Sequence, residues 1–208
     1  TSSLVGSEMC IRDRNITEKV TVKQDLYQKM DEICKPDTCF IANTSCISIT
    51  AIAAFTSRMD QVIGIHFMNP AALKSTVELI AGVHTNQDTI QKAERFLSEL
   101  GKSFVSVGDF PGFVSNRISH LFMNEAAFAV QDRLAEPAQI DKIFRECFGH
   151  KLGPLETADL IGLDVVADSL DILFESYHDS KYRCCPLLRK MVSAGMLGKK
   201  SGKGFYCY

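Results

Sequence analysis

The 208-residue sequence lacks most of the features that would place it in a specialised class of protein. It has no apolar run long enough to cross a bilayer and no charged-then-apolar segment typical of a signal peptide. Its formal net charge is -2, which indicates no surface for nucleic acid or for an anionic membrane. No internal repeat occurs, and 46% hydrophobic with 23% charged residues is the composition of a globular protein.

The sequence also lacks the cysteine spacing of a disulfide framework or of a zinc site. Its 8 cysteines include the adjacent pair Cys184 and Cys185, which fits no common framework. No Cys-x-x-Cys pair lies near a pair of histidines, so no metal site is predicted. We therefore expect reduced intracellular thiols, several of them used as small apolar residues.

Strand and helix patterns alternate in the first half of the chain. Amphipathic helices are predicted in "VTVKQDLYQKMDEI", "SITAIAAFTSR" and "TNQDTIQKAERFLSELG". Short apolar strands are predicted in "CFIANTS", "QVIGIHF", "STVELI" and "SFVSV". This alternation indicates an α/β domain with a mostly parallel sheet. The predicted inward-facing side chains include Leu26, Met30 and Ile33 in the first helix and Leu100 in the third.

After Asp109 only helical patterns follow, so the predicted fold class is α/β followed by all-α. The longest pattern, "PGFVSNRISHLFMNEAAFAVQDRL", has a predicted apolar stripe of Val114, Ile118, Leu121, Phe122 and Val130. Further helices are predicted in "EPAQIDKIFRECFG", "PLETADLIGLDVVADSLDILFESY" and "CPLLRKMVSAGM". We place the domain boundary between residues 15–109 and 110–208. Residues 1–14, which show no period, are predicted to be a non-native leader, the alternative being a flexible native terminus.

Polar side chains fall at successive strand ends and junctions, where open α/β sheets bind their ligands. Ser45 follows the first strand, His66 ends the second with Asn69 close behind, Glu78 belongs to the third, and Asn116 opens the first helix of the second half. Each has an ordinary explanation alone, as a cap, a satisfied core histidine, a surface carboxylate or a solvent-facing amide. Together they suit proton removal from an alcohol, and adjacent parallel strands would bring His66 and Glu78 together.

Several strings resemble the L-3-hydroxyacyl-CoA dehydrogenase family, including its 3-hydroxybutyryl-CoA dehydrogenases. They are "ANTSCISIT", "GIHFMNP", "TVELI", "PGFVSNR", "GHKLGPLETADLIGLD" and "GKKSGKGFY". The resemblance runs from about Asn15 to Tyr208. It implies the C-terminal part of a Rossmann-type NAD-binding domain and a helical domain for substrate and dimerisation. It further implies oxidation of (S)-3-hydroxyacyl-CoA to 3-oxoacyl-CoA, as in β-oxidation of fatty acids, with NAD as cofactor, by a homodimer.

The resemblance also implies roles for individual residues. His66 matches the general base, and Glu78 matches the carboxylate that holds and stabilises its imidazole. Ser45 and Asn116 match groups that hydrogen-bond the reacting oxygen and position the substrate beside the nicotinamide. Further matches near the cofactor are Glu18, Lys23, Asn69 and Lys200, together with Ser45. Asn69 also matches a residue of the substrate pocket, as Ser45 and Asn116 do.

The sequence departs from the family in three respects. The Gly-x-Gly-x-x-Gly loop and the acidic ribose-binding residue do not occur, so we interpret the chain as N-terminally truncated and expect it to be inactive as given. The string "AALKST" replaces a Val-Pro continuation after "HFMNP", which leaves the acyl-chain preference open. The strings "CFGHKLGPLET" and "SKYRCCPLL" resemble a branch that acts on hydroxyacids bound to acyl carrier protein.

Other interpretations therefore stay open at this stage. The substrate thioester is carried either by CoA or by a carrier protein. The chain itself is alternatively a non-catalytic fragment that dimerises or binds thioesters. A gulonate-type hydroxyacid dehydrogenase is disfavoured by "HFMNP" and "GKKSGKGFY". The expected compartment is the cytoplasm, or a mitochondrial matrix in a eukaryote.

Overall fold

The structure, a computed structural model, describes residues 20–68 and 71–208. It divides into two compact units, one ending at Phe113 and the other comprising Val114–Tyr208. The predicted leader, residues 1–14, lies outside the described residues. In the part of the chain that the structure describes, no helix is long and apolar enough to cross a membrane.

The first unit is a four-stranded sheet with helices between its strands. In chain order its elements are α1 (Val20–Ile33), β1 (Phe40–Ala42), α2 (Ile49–Ala53), β2 (Val62–His66), β3 (Thr76–Ala81), α3 (Gln87–Glu99) and β4 (Ser103–Val107). The strands lie in the order β1-β2-β3-β4. Two pairings are parallel, β1 with β2 and β3 with β4, whereas β2 and β3 run antiparallel. The predicted α/β class is confirmed, with one antiparallel pairing inside the sheet.

The strands place alternate side chains in two different cores. Phe40, Val62 and Ile80 belong to a core completed by side chains of α1 and α2. Their neighbours, such as Ile41 and Ile63, belong to a second core completed by α3. This period of two follows from the pleat of a β-strand. The central strands are therefore buried on both faces, which explains why they read as continuous apolar runs.

Two positions predicted to face inward are exposed in the structure. Ile33 is 81% exposed, because α1 buries Lys23, Tyr27 and Met30 and its last residue lies off that face. Leu100 is 43% exposed, because it is the C-cap of α3 and lies beyond the last helical turn. The predictions for Ile33 and Leu100 were therefore wrong, although the helices themselves lie where the pattern placed them.

The second unit is entirely helical among its regular elements. It contains α4 (Ser115–Gln131), α5 (Pro137–Phe148), α6 (Pro154–Ile161), α7 (Leu163–Tyr177) and α8 (Pro186–Ser193), with a short 3-10 turn at Lys199–Ser201 in the tail. The single helical stretch predicted over residues 154–177 is two helices. Gly162, with φ of +109°, separates them in a conformation that an L-residue rarely adopts.

The predicted apolar stripe of α4 is not its buried face. Val114 is 50% exposed and Ile118 is 64% exposed, so these two positions were predicted wrongly. The helix instead buries a face that includes the polar residue Asn124. The Asn124 amide donates to the carbonyl of Arg183 at 3.0 Å and accepts from the amide of Cys185 at 2.8 Å. Because distant backbone satisfies Asn124, its burial leaves no polar group without a partner.

The C-terminal tail is fastened to α6 by the buried carboxylate of Asp159. That carboxylate accepts from the amides of Phe205 and Tyr206, each at 3.0 Å. A Cβ at Gly204 would lie 2.0 Å from Asp159 Oδ1, and one at Gly198 would lie 2.3 Å from the Asp159 carbonyl oxygen. Burial raises the pKa of the Asp159 carboxyl although its hydrogen bonds oppose that shift. Gly198 and Gly204 of "GKKSGKGFY" are therefore required by close packing.

Arg58, in the connection between α2 and β2, binds the C-terminal end of α1. Its Nε donates to Asp31 Oδ1 at 2.6 Å, and its terminal nitrogens donate to the carbonyls of Asp31, Cys34 and Lys35. The last carbonyls of a helix have no partner within the helix, so the guanidinium supplies one. Burial alone would raise the pKa of the Asp31 carboxyl, but hydrogen bonds from Ser57 and Arg58 outweigh burial and lower it.

The lowered pKa of Asp31 predicts an acid-sensitive contribution to stability. A folded-state pKa below the ordinary 3.8 means that the contribution is present above that value. It is then lost as pH falls through the lower folded-state value. We expect Asp31→Asn to lower the free energy of unfolding by about 1–3 kcal/mol at neutral pH, with a smaller difference in strong acid. Urea unfolding at several pH values measures both.

The exposed carboxylate of Asp37 offers a matched control. Asp37→Asn should leave the free energy of unfolding nearly unchanged at neutral pH. A loss for Asp31→Asn that stays constant down to strong acid would contradict the assignment, because it would show that ionisation of Asp31 is not involved.

Candidate active site

The antiparallel pairing of β2 and β3 sets His66 directly opposite Glu78. The ring Nδ1 of His66 lies 2.8 Å from Glu78 Oε2. Both residues are buried, at 5% and 6% exposed. The predicted proximity is confirmed, but its predicted cause is wrong. β2 and β3 are antiparallel. His66 at the end of β2 is therefore paired with Glu78 near the beginning of β3, and not with a residue at the end of that strand.

Ser45 reaches the same imidazole from β1. Because β1 and β2 are parallel, their carboxyl ends meet at one edge of the sheet, and Ser45 follows β1 there. Its Oγ lies 3.4 Å from Nε2 of His66. An ionised Glu78 can only accept a hydrogen bond, so Nδ1 of the neutral ring carries the proton and Nε2 is left as the acceptor. Hydroxyl, imidazole and carboxylate thus form a connected row.

Lys23 supports the connection that leaves β1. It is 4% exposed, and its Nζ donates to the carbonyl of Asn43 at 3.1 Å. This contact ties α1 to the backbone that leads to Ser45. The predicted position of Lys23 beside the cofactor stays a prediction. Glu18 and Asn69, predicted for the same region, lie outside the described residues.

Asn116 and Lys200 belong to the second unit. Asn116 is the second residue of α4, as the sequence indicated. Lys200 lies in the tail, where its Nζ donates to Asp164 Oδ2 at 2.6 Å. Convergence of Asn116 with Ser45 and His66, and the cofactor contact of Lys200, stay predictions.

Three neighbours of the row were missed from the sequence. Gly64 precedes His66 in β2, and a Cβ there would lie 2.5 Å from Ile49 Cδ1 and 3.1 Å from Ile80 Cβ. A glycine inside a strand pattern was the available signal, since it often marks a close approach. The other two are Asp109, which binds the start of α2, and Phe113, whose ring centroid lies 5.8 Å from that of His66. Neither carries a local signal of such a role.

Two family models and several curated relatives match this chain over most of its length. The model for the 3-hydroxyacyl-CoA dehydrogenase NAD binding domain matches residues 4–110, and the model for the C-terminal domain of that enzyme matches residues 112–208. A probable 3-hydroxybutyryl-CoA dehydrogenase of Bacillus subtilis is 46% identical over 193 residues, covering 93% of this chain and 67% of the relative. The mitochondrial hydroxyacyl-coenzyme A dehydrogenase of Sus scrofa is 34% identical, covering 93% and 62%.

A solved structure agrees with these relatives. The (S)-3-hydroxybutyryl-CoA dehydrogenase of Ralstonia eutropha superposes with a TM-score of 0.92 and 40% identity, over 97% of this chain and 71% of that chain. The fold and the family models thus define a Rossmann-type oxidoreductase whose cofactor class is NAD. The chain belongs to the 3-hydroxyacyl-CoA dehydrogenase family. It spans about two thirds of the length of the curated relatives, 67% of the Bacillus protein and 62% of the Sus scrofa protein.

The close approach at Gly64 predicts a specific stability defect. We expect Gly64→Ala to lower the free energy of unfolding by about 1–3 kcal/mol, because Ile49 and Ile80 are fully buried and have no room to move. Denaturant unfolding of the variant measures the loss.

A second substitution makes the cause testable. Ile49→Val removes Cδ1, the atom nearest to the added methyl group. The double variant Gly64→Ala with Ile49→Val should therefore lose less than the sum of the two single variants. Additive losses would show that overlap with Ile49 is not the reason for the glycine.

Proposed function

We propose that this chain carries the proton-transfer site of an NAD-dependent dehydrogenase that converts (S)-3-hydroxyacyl-CoA to 3-oxoacyl-CoA, with His66 as general base. The observation that carries the proposal is the row of half-buried Ser45 and buried His66 and Glu78, at the edge of the sheet where β1 and β2 end. Membership of the family supplies the reaction class.

The row supports proton removal from a secondary alcohol. The 3-hydroxyl proton passes to Nε2 of His66, the nitrogen that faces Ser45. Glu78 then faces an imidazolium, which a buried carboxylate at 2.8 Å stabilises strongly. When bound, NAD would accept the hydride from C3, the carbon that carries the hydroxyl group. The hydroxyl of Ser45 holds the substrate oxygen in this proposal.

The residues present fit one end of NAD. The row lies at the edge of the sheet where open α/β folds bind ligands, and its hydroxyl and imidazole can hydrogen-bond a substrate oxygen held beside a nicotinamide. The Gly-x-Gly-x-x-Gly string, whose backbone amides bind the pyrophosphate in this fold class, does not occur in the 208 residues. We therefore propose that the chain on its own turns over weakly or not at all.

The role of His66 is tested in an extended protein, in which a Gly-x-Gly-x-x-Gly strand–loop–helix segment is joined before Asn15. We expect NADH formation from (S)-3-hydroxybutyryl-CoA, followed by absorbance. His66→Gln should lower kcat by about 100- to 10,000-fold, because a positioned general base contributes about that much. Glu78→Gln should lower kcat less, since the ring keeps a hydrogen-bond partner but loses the charge.

His84 provides a matched control, since it is an exposed histidine of the same unit. His84→Gln should leave kcat within about two-fold of wild type, as expected for a surface position. Equal turnover of the wild-type protein and His66→Gln would remove the general-base assignment.

The carrier of the substrate is decided by the same assay. We propose CoA as the carrier, in line with the names of the relatives. The alternative is an acyl carrier protein, which the extended protein would reveal by turning over the carrier-protein thioester faster than the CoA thioester.

We also propose that the protein forms a homodimer through its second unit. Support comes from two exposed apolar side chains at the start of α4, the N-cap residue Val114 and Ile118. Exposed apolar side chains on one helix face are typical of association surfaces. Sedimentation equilibrium should show a dimer that Ile118→Asp weakens, and a wild-type monomer at micromolar concentration would contradict the proposal.

A further inference from the structure

Asp109, which follows β4, binds the start of α2 through both carboxylate oxygens. Oδ1 accepts from the amide of Ile49 at 2.7 Å. Oδ2 accepts from the hydroxyl of Ser48 at 2.9 Å and from the amide and hydroxyl of Thr50 at 2.8 and 2.6 Å. The local cap is weaker, since Ser48 Oγ lies 3.4 Å from the amide of Ala51. Asp109 is therefore the main anchor of the first turn of α2.

The anchor reaches the candidate active site through Ser45. This residue lies in the short connection between β1 and α2. Thr44 closes a turn around it, because its hydroxyl accepts from the amide of Ile47 at 3.1 Å. The position of so short a turn depends on the elements at its two ends. The contacts of Asp109 to residues 48–50 therefore act at one end of the segment that carries Ser45.

Phe113 contacts His66, the central residue of the row. Its ring lies 5.8 Å from the ring of His66, centroid to centroid, at an interplanar angle of 53°. The side chain is 3% exposed and packs in the core formed with α1 and α2. Its φ is +46°, a left-handed conformation that is strained for a non-glycine residue. Such a backbone persists only where the surroundings hold it, and here the buried ring does so.

We propose that residues 109–113 are a positioning element of the active site. Asp109 holds the turn that carries Ser45, and Phe113 holds the ring of His66. The inference rests on the proposed function, because proton transfer at His66 is what makes these positions matter. Neither residue takes or gives the proton. A displacement of about 1 Å in a reacting group lowers a rate about 100-fold, so loss of either anchor should slow the reaction.

Hydrogen–deuterium exchange of the 208-residue chain tests the Asp109 contact without any activity. Asp109→Asn keeps the size of the side chain but removes the charge and one acceptor oxygen. We expect the amides of residues 45–51 to exchange about 10-fold faster, while those of α3 stay unchanged. Asp25→Asn, which alters an exposed carboxylate on α1, is the matched control and should leave residues 45–51 unchanged.

Kinetics of the extended protein test the effect on catalysis. Asp109→Asn should lower kcat about 10- to 100-fold and change the KM for NAD less than about three-fold, and Asp109→Glu should recover part of kcat. Phe113→Leu, which removes the ring but keeps most of the apolar volume, should lower kcat about 10-fold. Phe104→Leu on β4 is its control. In a His66→Gln background, Phe113→Leu should have no further effect, since it acts through His66.

The outcomes separate the inference from the function on which it rests. Faster exchange throughout the first unit in Asp109→Asn would overturn the inference, because the residue would then be a general stabiliser. So would kcat within about two-fold of wild type for both Asp109→Asn and Phe113→Leu. An extended wild-type protein that forms no NADH from either thioester would refute the proposed function instead. Localised exchange with lowered kcat supports the inference.

Discussion

The contact between His66 and Glu78 is the interaction on which the site depends. A buried imidazole and a buried carboxylate at 2.8 Å satisfy each other, and either one left alone would carry the penalty of an unpaired buried polar group. The carboxylate also fixes which ring nitrogen carries the proton, so that the other nitrogen faces Ser45. The register of β2 on β3 sets the two side chains directly opposite each other, which joins the geometry of the sheet to the chemistry at its edge.

The members of this row could be predicted from the sequence, but the direction of β3 relative to β2 was predicted wrongly. Polar residues at strand ends pointed to Ser45, His66 and Glu78, and the family resemblance supplied their expected roles. The connection between β2 and β3, residues 67–75, is shorter than the dozen or so residues that a parallel crossover needs. The two parallel pairings, by contrast, each have a helix in their connection. Connection length was therefore the signal that separated the two arrangements.

Helix positions followed from the sequence more closely than helix faces did. Periodicity located α1 and α4, yet Ile33 and Ile118 are exposed whereas Lys23 and Asn124 are buried. Hydropathy ranks the last two as surface residues. Each is buried because a distant backbone group satisfies it, Asn43 for Lys23 and Arg183 with Cys185 for Asn124. Partners that are far away in the chain leave no periodic signal, so this part of the fold could not be read locally.

Asp109 and Phe113 were missed for the same reason, because their partners, α2 and His66, lie far away in the chain. Several unfavourable features meet at the end of β2: a glycine inside a strand, a left-handed phenylalanine and a buried ionisable pair. Each costs stability alone, and each is held by contacts from elsewhere in the first unit. A core built only for stability would avoid them. Their concentration around one imidazole indicates that the position of that ring, and not the burial of apolar surface, is what this edge of the sheet maintains.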